Sequence, residues 1–149
     1  MDTSEKEKID NLREFVTSLP QLTNMVTTHH FAGGMYLRKV WRAAGTLVCG
    51  REHLTEHFFM CMSGQIIVYM AGNNVTLYPG DIISCPIGSI KITYSPVDSI
   101  GANVFKTNKT DLAELEAELL VDEPGCMYDF DNKVKDLQLN EQKLKELIL

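Results

Sequence analysis

The chain has 149 residues, 44% of them hydrophobic and 23% charged, with a formal net charge of −6 at pH 7. That length suits one domain able to bury its own core, and the composition excludes wholesale disorder and a collagen-like repeat. The acidity disfavours a long nucleic acid as partner, since proteins that bind one usually carry a basic surplus.

Ile9, Leu12, Phe15 and Val16 recur at helical spacing ahead of Pro20, which predicts a helix over residues 3–18. From about His29 to Phe105 the texture changes to short runs rich in Val, Ile, Thr, Tyr and Phe. Strands are predicted over 35–42, 46–53, 57–62, 65–70, 74–78, 82–85, 90–94 and 99–105. Turn signals separate them, among them Ser63-Gly64, Gly72-Asn73-Asn74 and Pro79-Gly80-Asp81. His29-His30 and Gly33-Gly34 read as a turn into the first strand. Many short strands at regular spacing predict a closed or folded-over antiparallel sheet.

Beyond Lys106 the pattern is helical again. Thr110 or Asp111 is expected to cap a helix through Leu120; Asp111 with Glu114 has the spacing of a capping box, Leu112, Leu115 and Leu119 make one face, and Pro124-Gly125 ends it. A last helix is predicted over 131–148, with Val134, Leu137, Leu144, Leu147 and Ile148 as a stripe for packing on the barrel or on a second subunit. The expected organisation is an N-terminal helical arm over 1–28, a barrel over 29–106 and a C-terminal helical extension over 107–149, in one structural domain.

Charge follows these divisions. Residues 1–30 carry three Lys/Arg against five Asp/Glu, residues 31–106 six against four, and residues 107–149 five against eleven. A mildly basic middle therefore sits between acidic ends. The charged run Glu5–Lys8 stands where a signal peptide needs apolar residues, and no apolar run approaches the ~20 residues of a membrane span. Cys49, Cys61, Cys85 and Cys126 form no C-x-x-C pair and read as reduced thiols of a cytoplasmic protein. The sequence has neither a phosphate-binding glycine loop nor a serine at a nucleophile elbow.

Chemistry concentrates around His53 and His57. In a strand–turn–strand reading, residues 47, 49, 51 and 53 share one face and His57 opens the next strand. One frame runs Arg51-x-His53, three residues, His57, six residues, Gly64. A second runs Gly80, five residues, Pro86-x-Gly88, two residues, Lys91, three residues, Ser95. Together, over about residues 30–106, they resemble the two motifs of the cupin superfamily. More narrowly, Ala44-Gly45-Thr46 followed by Gly50-x-x-His53-x-x-Glu56-His57 is similar to small single-domain cupins of tailed bacteriophages and prophages. The resemblance implies a mainly β fold: a single cupin-type antiparallel β-barrel with an N-terminal helix and two C-terminal helices. It also implies association into dimers or higher oligomers. Arg51, His53, His57 and Lys91 then stand where metal-binding cupins place three histidines and a glutamate.

Those departures separate two expectations. Arginine cannot ligate a metal and lysine rarely does. His53 and His57, with Glu52 or Glu56 as a third ligand, remain candidates for a divalent metal such as Zn, Fe, Mn or Ni, which would make a metal-dependent enzyme of the oxygenase or isomerase kind. In the other reading Arg51 and Lys91 are fixed cations beside two imidazoles, suited to a phosphate, a carboxylate or a nucleotide-like anion. Nearby cations would hold both rings neutral. Tyr69 and Tyr94, with Phe59, Met60 and Met62, are candidate walls of that pocket.

On this second reading the protein binds or sequesters a small anionic molecule, needs no cofactor and catalyses nothing. A phage protein in the host-cell cytoplasm, capturing a host metabolite or nucleotide signal, is one form of it. An empty, degenerate barrel in a structural or interaction role is a third reading. Arg38, Lys39 and Arg42 read as a solvated face or as a surface for an acidic helix of a partner subunit. The expected partners are a small anion and further copies of the chain, with no membrane and no long nucleic acid.

Overall fold

The computed structural model describes residues 3–123 and 128–132. Helix α1 (Thr3–Thr17) is followed by strands β1 (Val26–Ala32), β2 (Met35–Arg42), β3 (Thr46–Cys49), β4 (His57–Ser63), β5 (Ile66–Met70), β6 (Asn73–Leu77), β7 (Ile82–Cys85), β8 (Ile92–Ser95) and β9 (Ser99–Lys106), then helix α2 (Leu112–Leu119). The strands form two antiparallel sheets, one in the order β1-β2-β9-β4-β7 and one in the order β3-β8-β5-β6.

The expected closed barrel is therefore two sheets with free edges. The free edges are β1 and β7 in one sheet and β3 and β6 in the other. The predicted strand 46–53 ends at Cys49. Gly50 donates its N–H to the Lys91 carbonyl at 2.8 Å, and a Cβ there would lie 2.7 Å from that oxygen. The Gly50 carbonyl accepts from the Arg13 guanidinium at 2.6 Å, so a side chain of α1 takes the place of a neighbouring strand.

The other departures are local. His29 and His30 lie inside β1, which pairs with β2 from Val26↔Trp41 to Ala32↔Met35, so the turn falls at Gly33-Gly34 alone. Both glycines have positive φ, which that hairpin requires. Two helices lie among the described residues, against three expected. The predicted helix over 131–148 falls outside them except for Asp131 and Asn132, which lie in a turn. Helix α2 begins where its cap predicts: the Asp111 side chain accepts from the Glu114 backbone N–H at 3.1 Å.

Alternation places the core. Phe59 and Cys61 from β4 meet Ile66 and Val68 from β5, with Leu77 and Cys85, between the sheets. Leu115 and Leu119 of α2, both fully buried, pack on Tyr36, Phe105 and Phe130. Ile9 of α1 covers Ile90 and Ile92. On β2 the inward positions are Tyr36, Arg38, Val40 and Arg42, and two of these are cations. No helix among the described residues is long and apolar enough to cross a membrane.

Gly64 joins β4 to β5 at φ +76°, and a Cβ there would collide with the Asp98 carbonyl and the Ser99 hydroxyl. Ser99 Oγ also closes this corner through the Gln65 N–H at 3.1 Å. Gly64→Ala is expected to destabilise the fold by about 3 kcal/mol, read from urea melts. A change below about 0.5 kcal/mol would mean that the corner yields.

Candidate functional site

The inner faces of the two sheets enclose a cavity of about 340 Å³, whose deep wall is built by Arg42, His53, Phe59, Lys91, Asn103 and Phe105. The segment between α1 and β1 brings Leu19, Leu22 and Met25 to its rim, and Leu47 joins them from β3. Residues 128–132 lie along the same opening. The Tyr128 hydroxyl donates to the Leu22 carbonyl at 2.8 Å, and Asn132 donates to Thr27 Oγ1 at 2.7 Å. Further along, His29 sits between the Tyr36 hydroxyl and an Asp131 carboxylate oxygen, 2.6 Å from each.

His53, His57 and Lys91 come together as the spacing of the two motifs implied. The imidazole rings stack 4.2 Å apart, and both lie against Phe105. Lys91 Nζ stands 2.8 Å from His57 Nε2 and 3.1 Å from Asn103 Oδ1. An ammonium only donates, so His57 Nε2 accepts and its proton sits on Nδ1, which donates to the Thr55 carbonyl at 3.0 Å. His53 Nδ1 is buried without a hydrogen-bond partner.

Burial, then Lys91, then His57 push the His53 pKa down to about 2. Burial and then Lys91 bring His57 to about 4. Both rings are thus neutral at physiological pH. Burial lowers Lys91 to about 8; Cys85 opposes that shift, and Arg38 and Arg42 add to it.

Arg42 is 5% exposed. It donates to Thr93 Oγ1 at 2.9 Å, while its Nε is buried and unpartnered. Burial, then Arg38, lowers its pKa to about 10. Among the described residues the ion pairs are Arg13–Glu123, His29–Asp131 and Arg51–Glu116, and none of them includes Arg42 or Lys91. Two buried cations therefore face one cavity with no ion-pair partner among the described residues.

The other predicted site residues are placed differently. Arg51 touches the cavity, but its guanidinium pairs with Glu116 Oε1 at 2.5 Å and donates to the Val121 carbonyl at 2.8 Å, which ties α2 to the β3–β4 connection. Tyr69 reaches toward Glu5 and packs with the α1 cluster. Tyr94 is exposed, and so is Met62. Neither tyrosine lines the cavity.

Arg38 and Arg42, expected on a solvated face, point inward. Arg38 donates to the Phe130 carbonyl at 3.0 Å and lies over the Phe130 ring. The sequence did carry a signal for this. Tyr36 and Val40 fix the buried face of β2, and a period of two puts Arg38 and Arg42 on it. Asn103 had no comparable signal.

A divalent metal does not fit this donor set. Arg51 cannot ligate one, and the His57 lone pair that would face a metal is taken by the Lys91 ammonium. Neither Glu52 nor Glu56 joins the two imidazoles. Among the described residues no three His, Cys, Asp or Glu side chains converge as a metal site would need.

By sequence the chain matches no family model and no curated protein. Its structure matches solved cupins. KdgF from a Halomonas species is 14% identical, over 61% of this chain and 87% of that one, with a TM-score of 0.53. A cupin superfamily protein from Desulfitobacterium hafniense is 12% identical, over 62% and 86%, with a TM-score of 0.51. The Cupin_2 domain of an XRE family transcriptional regulator from Enterobacter cloacae is 16% identical, over 57% and 98%, with a TM-score of 0.50. The fold is thus cupin-like, and at these identities the likeness is one of fold alone.

Proposed function

We propose that the protein binds a small anionic ligand in the cavity between its sheets. The observation that carries this reading is the pair Arg42 and Lys91: buried, facing one space, and without a carboxylate partner among the described residues. A buried charge is costly unless something neutralises it, and an anion in the cavity supplies that. Arg42 offers a planar fork and Lys91 a point charge, the pairing that carboxylates and phosphates accept. The neutral His53 lies on the same wall. Capture of a host metabolite by a phage-encoded cupin is the biological form of this proposal, and it rests on the resemblance of Ala44–Thr46 and Gly50–His57 alone.

Calorimetric titration at low salt with acetate, inorganic phosphate and adenosine monophosphate tests the reading. At least one anion is expected to bind, and Arg42→Met to weaken it about 10- to 100-fold, the loss of one or two charge-assisted hydrogen bonds. Equal affinity in the wild type and in a folded Arg42→Met variant would place the site elsewhere. Competition by sodium chloride should be modest, because a buried pair is screened little.

A further inference from the structure

We infer that the ligand is an amphipathic anion: one compact carboxylate or phosphate-monoester head carried on an apolar body. This rests on the anion-binding reading of the same cavity and says which anions it prefers.

The cations of the cavity divide into two groups. Deep in it, Arg42 and Lys91 are 5% exposed each and have no carboxylate partner among the described residues. Nearer the rim, Arg13 pairs with Glu123 and Arg51 with Glu116. A third cation without an ion pair among the described residues, Arg38, also lines the cavity, but its guanidinium donates to the Phe130 carbonyl and lies over the Phe130 ring. The charge left for a ligand is therefore mainly that of Arg42 and Lys91. A second anionic group held at the rim would meet paired arginines and the carboxylates of Glu123 and Asp129, which also line the wall. A polyphosphate or dicarboxylate of any length gains nothing there.

The rim supplies the other half of the argument. Leu19, Leu22 and Leu47 line the cavity and stay 46%, 40% and 38% exposed. Apolar side chains left open around a mouth mark a surface that something apolar covers. Val40, Phe59 and Phe105 add apolar surface to the cavity wall. A ligand with its head at Arg42 and Lys91 would run its body past these groups toward the leucines. The volume of about 340 Å³ lies at the low end for small-molecule sites, enough for a medium chain or a ring system with one head group.

Titration of the wild-type chain with straight-chain carboxylates from acetate to decanoate reads this directly and needs no variant to fold. Hexyl phosphate, inorganic phosphate and adenosine monophosphate serve as comparisons. Affinity is expected to rise about fourfold per methylene until the cavity is filled. Hexyl phosphate should exceed inorganic phosphate by a similar progression, and adenosine monophosphate should bind more weakly than decanoate. Leu22→Asp is expected to flatten the slope at the longer chains. If affinity stays flat with chain length, or adenosine monophosphate binds as tightly as decanoate, the amphipathic assignment is overturned while the anion site stands. If none of these anions binds, the anion reading itself fails.

Discussion

Arg42→Met is expected to stabilise the ligand-free protein by about 2 kcal/mol and to lower anion affinity by about two orders of magnitude. The two effects have opposite signs for one reason. The guanidinium is buried, its pKa is lowered to about 10, and among the described residues its hydrogen bond goes to a hydroxyl that can turn to another partner. In the free protein that charge is a net cost, and burying the Arg42 stem is worth keeping. Methionine keeps an unbranched apolar stem and removes the charge. In the complex the same charge is the main contact to the ligand. Urea melts of the free proteins and calorimetry with the tightest-binding carboxylate measure the two halves. A variant that is less stable and equally able to bind would make Arg42 a structural residue.

The second large effect is acid lability. His53 is held at about 2 and His57 at about 4, against 6.5 in an unfolded chain. Below pH 6.5 the unfolded state takes up protons that the folded state refuses, so stability falls as pH falls. His53 alone contributes a slope of about 1.4 kcal/mol per pH unit through this window, and His57 adds to it down to about pH 4. Lys91 acts at the other end. Its folded pKa of about 8 lies below the ordinary lysine value of 10.5, so Lys91 adds stability as pH rises between those values. Urea melts across pH 4–8 should therefore show stability climbing with pH on the acid limb, while above pH 8 the thiols of Cys49, Cys61 and Cys85, pushed up by burial, oppose Lys91. The double variant His53→Gln/His57→Gln should flatten the acid limb, with the difference between the curves separating the histidines from the carboxylates. An unchanged acid limb would mean that the rings are solvated.

Much of the strand order was legible because β2 and β4–β9 are short runs of Val, Ile, Tyr and Phe set off by glycine turns. Strand β1 was not, since Val-Thr-Thr-His-His-Phe-Ala carries too little apolar alternation to stand out. Barrel closure was not legible either. It depends on whether the edge strands β1 and β7 meet β3 and β6, a long-range pairing that no local pattern encodes. Of the candidate site, His53, His57 and Lys91 were found by motif spacing, which encodes positions on paired strands. The composition of the Arg38-Lys39-Arg42 cluster does not place Arg42; the alternation of Arg42 with Tyr36 and Val40 on β2 does. Tyr69 and Tyr94 were assigned by residue type, and their strand faces turn them to α1 and to solvent.

Native mass spectrometry of the protein purified from cells tests the central claim most directly. The wild type should carry a small adduct that is lost on denaturation and detected afterwards in negative-ion mode as an organic acid or phosphate monoester, and the double variant Arg42→Met/Lys91→Met should carry none. A wild-type protein with no adduct at any loading of the anions named above, or one bound transition metal per chain lost in His53→Ala, would contradict the account.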